Sequence, residues 1–158
     1  TSWVQNGQAN TSSGARLEMW KASYQVIKEN PFFGVGEDNY SKYQQILVNQ
    51  GKVSKSVEGF LHPHGEYVTS LVEQGFIGLI AFISVLLTPL IYLLCRIKLN
   101  KNSYRQRVLT TSGLLIILHY AFYSVTSGVF DHQSTALFYS VFMVVILGLI
   151  KSNSRIEV

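Results

Sequence analysis

From Phe76 to Cys95 the chain runs twenty residues without a charged side chain. At ~1.5 Å per residue a helix of that length covers ~30 Å, the thickness of a bilayer's hydrocarbon core. Two further apolar stretches follow, 108–130 and 134–150, the last near the short limit for a span. Only 14% of the residues are charged against 47% apolar, and the charges lie almost wholly outside these stretches, which is the pattern of a membrane protein. We expect an all-α polytopic fold with transmembrane helices at about 76–95, 108–130 and 134–150, the first kinked at Pro89.

Charge then orients the chain. Five of the thirteen basic residues, Arg96, Lys98, Lys101, Arg105 and Arg107, crowd between the first two stretches with no acid among them, and the tail 151–158 adds Lys151 and Arg155. The positive-inside rule puts both on the cytoplasmic side, and residues 1–75 and Asp131-His132 on the outer side. The basic cluster is accordingly a topology signal, and no nucleic-acid partner is expected. Cys95 is the only cysteine, which excludes an internal disulfide and a cysteine-based zinc site and leaves helix packing as its expected role. An opening at Thr1, with no initiating Met and no basic n-region, leads us to expect the C-terminal part of a longer protein.

The outer segment, 1–75, reads as a helical loop domain. Residues 1–11 lack periodicity. Ser12 or Ser13 can cap a helix whose Leu17, Trp20, Tyr24 and Ile27 recur at helical spacing until Asn30-Pro31 stops it. Its first turn carries Arg16, a cation where the helix dipole disfavours one, which fits either an anion bound there or a side chain pointing into solvent. Phe32-Phe33-Gly34-Val35-Gly36 makes a turn; its Gly-x-Gly lacks the third glycine and the preceding strand of a dinucleotide fingerprint, so backbone turning is the expected use. A second helix starts at Asp38 or Asn39, with Tyr40, Tyr43 and Leu47 on one face, and closes at Gly51; 52–61 reads as a loop. A third begins near His64 or Gly65, with Tyr67, Val68, Leu71 and Val72 as its apolar stripe and Glu66, Ser70 and Glu73 opposite.

Chemistry concentrates in His62-Pro63-His64-Gly65-Glu66-Tyr67, immediately before the first span, where titratable groups meet a bilayer surface. His62 and His64 could present two metal ligands, but no third strong ligand stands at a recognisable spacing, so no metal is expected. Asp131-His132, on the same expected side, either lines this site or polarises a tight turn. His119, mid-span by this reading, is either functional or packs between helices beside Tyr120, Ser124 and Thr126. The aromatics of the outer segment, Trp3 and Trp20 among them, suit a membrane interface and equally suit stacking on sugar rings.

These residues resemble a family, the O-antigen ligase and polymerase superfamily of polytopic bacterial membrane glycosyltransferases, with a GT-C-like fold. Ser13-Gly14-Ala15-Arg16 to Trp20, ending in Glu29-Asn30-Pro31-Phe32-Phe33-Gly34-Val35-Gly36, looks like the family's arginine-bearing helix and the Pro…Gly-x-Gly turn after it. His62 to Tyr67 resembles its His-x-His-Asn-Glu-Tyr motif, and His64-Gly65, nine residues, Gly75-x-x-Gly78 fits the ligase signature. Gly65 departs from it, since the family usually carries Asn, Ser or Gln there.

The resemblance implies that a glycan on an undecaprenyl-pyrophosphate carrier is transferred to an acceptor hydroxyl of a glycolipid, glycan or protein, outside the cytoplasmic membrane and among its lipids. It also implies further spans from a missing N-terminal part, inversion at the anomeric carbon, and neither metal nor soluble cofactor. His64 would then be the general base and Arg16 the partner of the pyrophosphate, with His62, Glu66, Asp131 and His132 as weaker substrate-binding candidates. Polymerisation, with a second lipid-linked repeat as acceptor, shares these motifs. A non-catalytic component that binds or exports polysaccharide is the reading from another class.

Overall fold

A computed structural model describes residues 12–37, 39–55, 60, 62–99 and 104–156. Residues 1–11, expected to lack structure, lie outside it, as do Asp38, one of the two expected helix starts, and 56–59 and 61 of the expected loop. The described residues form helices α1 (Ser12–Glu29), α2 (Tyr40–Asn49), α3 (Glu66–Leu99), α4 (Tyr104–Tyr123) and α5 (Gln133–Ile156). The chain divides into two compact units between Phe82 and Ile83.

The first unit is built on α1, α2 and the start of α3. Its core joins Met19, Ala22 and Val26 of α1 to Tyr40, Leu47 and Val48 of α2, with Val53 and Val72. This corrects the expected face of α1, because Leu17, Trp20 and Tyr24 are exposed. The helix has two apolar stripes, and the smaller side chains of the inner one let α2 approach closely enough for the Tyr40 hydroxyl to donate to the Met19 carbonyl at 3.1 Å. The Ser23 hydroxyl donates to that carbonyl too, at 2.8 Å. Burial pushes the Tyr40 phenol above its ordinary pKa of 10.0, against a smaller opposing effect of its Ser23 hydrogen bond. On α3 the side expected to be polar is buried too: Glu66, Thr69, Ser70 and Glu73 are inside along with Val72, and Val68 packs against the core.

α2 ends as its sequence demands. Gly51 takes φ +68, and the Gly51 and Lys52 amides bond back to the carbonyls of Val48 and Leu47 at 2.9 and 3.0 Å. The chain then turns inward at Val53. The Ser54 amide donates to the buried Glu18 carboxylate at 3.0 Å, and the Lys21 ammonium binds that carboxylate's other oxygen.

In the second unit α4 turns Gln106, Thr110, Gly113 and Ile117 inward, at helical spacing. Gly113 permits the approach: a Cβ there would stand 2.7 Å from Leu93 Cδ1 and 3.3 Å from Ile146 Cγ2. The Tyr139 hydroxyl donates to the Val85 carbonyl at 3.0 Å, and the Tyr139 ring packs on Tyr120 and Phe130 at 4.9 and 5.5 Å. α3 and α5 are long and apolar enough to cross a membrane by length and composition. α4 stops at Tyr123, short of the expected 108–130 stretch, because the Val125 and Thr126 amides close tight turns on Phe122 and Tyr123 at 3.1 Å each. His119 is therefore one turn from a helix end rather than mid-span, exposed, with its ring stacked on Tyr123 at 5.9 Å. α5 continues six residues beyond the expected 134–150 stretch, to Ile156, with no Gly or Pro among them to stop it. Cys95, expected in helix packing, is exposed.

Candidate functional site

The site starts from a break in α3. Gly75 has φ +68 and ψ −161, a backbone region that only glycine occupies comfortably, so the helical ladder is interrupted there. An interrupted helix leaves carbonyls without donors before the break and amides without acceptors after it. The Asn30–Gly36 turn supplies both. The Val35 and Gly36 amides donate to the carbonyls of Val72 and Glu73 at 2.9 and 2.8 Å, and the carbonyls of Pro31 and Phe32 accept from the Phe76 and Ile77 amides at 2.8 and 3.4 Å.

Two main chains thus lie against each other, which explains the glycines. A Cβ on Gly34 would sit 2.4 Å from the Glu73 carbonyl carbon, and one on Gly75 2.3 Å from that of Phe32. Gly78 has its own reason, since a Cβ there would meet Gln74 Cβ at 2.2 Å. The Gly34 amide closes the turn on the Asn30 carbonyl at 3.1 Å and the Val35 and Gly36 amides are spent on α3, in keeping with a backbone-turning role. Pro89, the expected kink, lies inside α3, whose non-helical residue is Gly75.

The histidine loop enters the same helix from its start. The Gly65 carbonyl accepts from the Val68 and Thr69 amides at 3.1 and 3.0 Å, so regular helix begins at Glu66, just after the expected start. Gly65 has φ +108, a conformation suited to the glycine that departs from the family pattern. His64 has φ +51, unusual for a residue with a side chain and costing on the order of 1–3 kcal/mol. Its imidazole is exposed, with the Phe60 ring edge-on at 5.9 Å. Pro63 between the histidines is buried.

His62 is placed differently. Its Nδ1 lies 3.2 Å from Glu73 Oε1, and that carboxylate is buried. The acid that pairs with His62 is Glu73, eleven residues along. The only sequence trace of this was that Glu73 stands two positions before the helix-breaking Gly75. Glu66 is buried at the first residue of α3, where its charge complements the helix N-terminus.

Arg16 lies fifth in α1, one or two residues further in than expected and beyond the strongest reach of the terminal dipole, and its side chain is exposed. Among the described residues it makes no ion pair. Asp131 and His132 belong to the second unit, in the turn before α5. There the His132 carbonyl accepts from the Thr135 hydroxyl at 2.8 Å and the Ala136 amide at 3.1 Å, while Asp131 folds over Gly128. Among the described residues no three His, Cys, Asp or Glu side chains converge as a metal site would require.

The first unit carries an exposed imidazole, a histidine–carboxylate pair and a surface guanidinium, all ahead of an apolar helix. Residues 2–83, which nearly span this unit, match the family described as O-Antigen ligase. Over 138 residues the chain is 32% identical to an uncharacterized protein of Haemophilus influenzae, an alignment covering 87% of this chain and 34% of that protein. The chain thus spans about a third of the length of this curated relative. With more than half of its residues matched, and with the glycines of both motifs at one backbone crossing, the chain belongs to the O-antigen ligase family.

Proposed function

We propose that the protein containing this chain is a membrane glycosyltransferase that moves a glycan from an undecaprenyl-pyrophosphate carrier to an acceptor hydroxyl on the outer face of the cytoplasmic membrane. The observation that carries the reading is His64: an exposed imidazole held in left-handed backbone, between a buried proline and a helix start, ahead of an apolar span. Strain of this kind persists only where the surroundings over-determine it, and it collects at functional sites.

The acceptor oxygen attacks the anomeric carbon, the bond from that carbon to the pyrophosphate oxygen breaks, and the acceptor proton passes to a ring nitrogen of His64. Attack opposite the leaving group inverts the anomeric centre. The Arg16 guanidinium, always charged and able to bind phosphate oxygens bidentately, neutralises the charge that grows on the departing pyrophosphate. The His62–Glu73 pair ties the loop carrying His64 to α3. No step calls for a metal.

Residues 1–75 are extracytoplasmic in this reading, α3, α4 and α5 cross the bilayer, and 96–107 and the tail face the cytoplasm. His64→Ala in the membrane-reconstituted protein is expected to lower turnover roughly 10²–10⁴-fold while the lipid-linked donor still binds, and full activity of that variant would remove the base. Arg16→Lys keeps the charge, loses the bidentate fork and is expected to lower turnover substantially; unchanged turnover in Arg16→Ala would take it out of the site. Deleting the gene should cause lipid-linked polymer to accumulate, whereas loss of chain length would indicate a polymerase. Cysteines placed at Gln8 and Asn102 test topology: an impermeant thiol reagent on spheroplasts should label the first and spare the second.

A further inference from the structure

α1 presents to the surface the stripe that its sequence marks for burial. Arg16, Leu17, Trp20, Lys21 and Tyr24 are all exposed, while Met19, Ala22 and Val26 fill the core and Ser23 is buried beside them. Beside this stripe lies a groove of about 490 Å³. Trp20 and Tyr24, 44% and 64% exposed, form one wall; Lys52 and Val53 come from the segment after α2, and Lys21 and Gln25 add polar side chains to the lining.

The groove is built rather than incidental. Its far wall is held by Val53, which is in the core, by the Gly51 cap, and by the buried Glu18 carboxylate that accepts the Ser54 amide. That same carboxylate binds the Lys21 ammonium, so one buried acid fixes both sides. Nothing in the transfer chemistry uses Glu18. Its burial is explained by the shape it maintains.

We propose that this groove is a saccharide-binding subsite, in which sugar rings of the glycan stack on Trp20 and Tyr24 while Lys52 and Gln25 bond to ring substituents. The inference rests on the transfer reading for the identity of the glycan. The C–H-bearing face of a pyranose is apolar and packs on an aromatic face, and its rim carries hydroxyls that need polar partners, a combination that Trp and Tyr between Lys and Gln provide. A bilayer is the poorer occupant. The exposed row that begins at Phe76, Ile77 and Ile80 of α3 carries no charged side chain as far as Cys95, whereas this surface is a groove with Lys21, Gln25 and Lys52 in its lining. Register supports the assignment as well. Arg16, Trp20 and Tyr24 follow one another at four-residue spacing over roughly 12 Å of helix, so a saccharide leading away from an anion at Arg16 runs straight along the aromatic wall.

The test uses the membrane-reconstituted protein labelled with 5-fluorotryptophan in nanodiscs, with the Trp20 resonance identified by its loss in Trp20→Phe. The probe is oligosaccharide released by mild acid from the producing strain's own surface polysaccharide, free of lipid and pyrophosphate. The Trp20 resonance should shift and saturate, and Tyr24→Ala should weaken that binding about tenfold, the size of one lost aromatic contact. In transfer assays Trp20→Ala should raise KM for the glycan donor with little change in kcat, and Trp20→Phe should restore it. A resonance that ignores saccharide, or one broadened by doxyl-labelled lipid without a saccharide response, overturns the subsite. The two proposals fail separately: full activity of His64→Ala sinks the transfer role while leaving the shift, and an absent shift with normal dependence on His64 sinks the groove alone.

Discussion

Both units use glycine to bring segments closer than a side chain would allow, and they use it in opposite ways. In the second unit Gly113 keeps regular helix, and what its missing Cβ would strike is the flexible end of Leu93. In the first unit Gly34 and Gly75 leave helical geometry, and what their missing Cβ atoms would strike is main chain. The contrast separates packing from splicing. A helix may be broken near a membrane only where other polar groups take over its hydrogen bonds, and the Asn30–Gly36 turn takes over four. The unbroken helices of the second unit need no such help.

The largest expected effect lies at the splice. Gly75→Ala forces a side chain into a glycine-only conformation and against the Phe32 carbonyl, so thermal unfolding of the purified protein should show a loss of roughly 3–5 kcal/mol. Gly34→Ala should behave alike, and the double variant should lose less than the sum because both break one crossing. Near-native stability of Gly75→Ala would erase the distinction between the units.

Next in size is Glu18→Leu, which strands the Ser54 amide and should cost ~1–3 kcal/mol. It should also weaken saccharide binding at the groove, which sharpens the view that the first unit puts its buried polar groups into shape. Gly113→Ala is expected to stay within about 1 kcal/mol of the parent, since the helix gains from alanine while Leu93 moves aside. A loss as large as that of Gly75→Ala would show that the two kinds of glycine do not differ.

The smallest effect is a pH dependence. The Tyr40 phenol has a folded pKa above its ordinary 10.0, so its contribution to stability is complete below about pH 10 and fades as the pH climbs through the folded value. Tyr40→Phe should flatten that alkaline decline in unfolding measurements, and a decline unaltered by the substitution would assign it elsewhere.

Much of this arrangement was legible in the sequence. The helices of the first unit appeared near where periodicity put them, with Ser12 and Ser13 inside α1 and Asn39 making no side-chain cap bond before α2, and Gly51 closed α2 as a helix-ending glycine should. What misled was the choice of face. α1 has two apolar stripes, and the bulkier one, Leu17-Trp20-Tyr24, stayed outside because the inner one fits Tyr40 against Met19 and Ser23. On α3 the carboxylates turned inward because Glu73 meets His62, a partner no periodicity reveals. The end of α4 was missed because Ser124 to Phe130 remains apolar enough to continue a span while its Ser, Thr and Gly residues favour a turn. The two motifs behind the family resemblance were each visible, but their crossing was not, since hydrogen bonds between distant main chains leave no mark on side-chain pattern.

That crossing sets a rule for how length can vary. The donors at 35–36 and 76–77 and the acceptors at 31–32 and 72–73 form a matched set in fixed register. One residue inserted or deleted inside either segment misaligns all four bonds together, whereas Gly51 to Lys55 lie outside that register. Insertions and deletions among members that keep this splice should therefore collect in the loops and avoid 31–36 and 72–77 altogether.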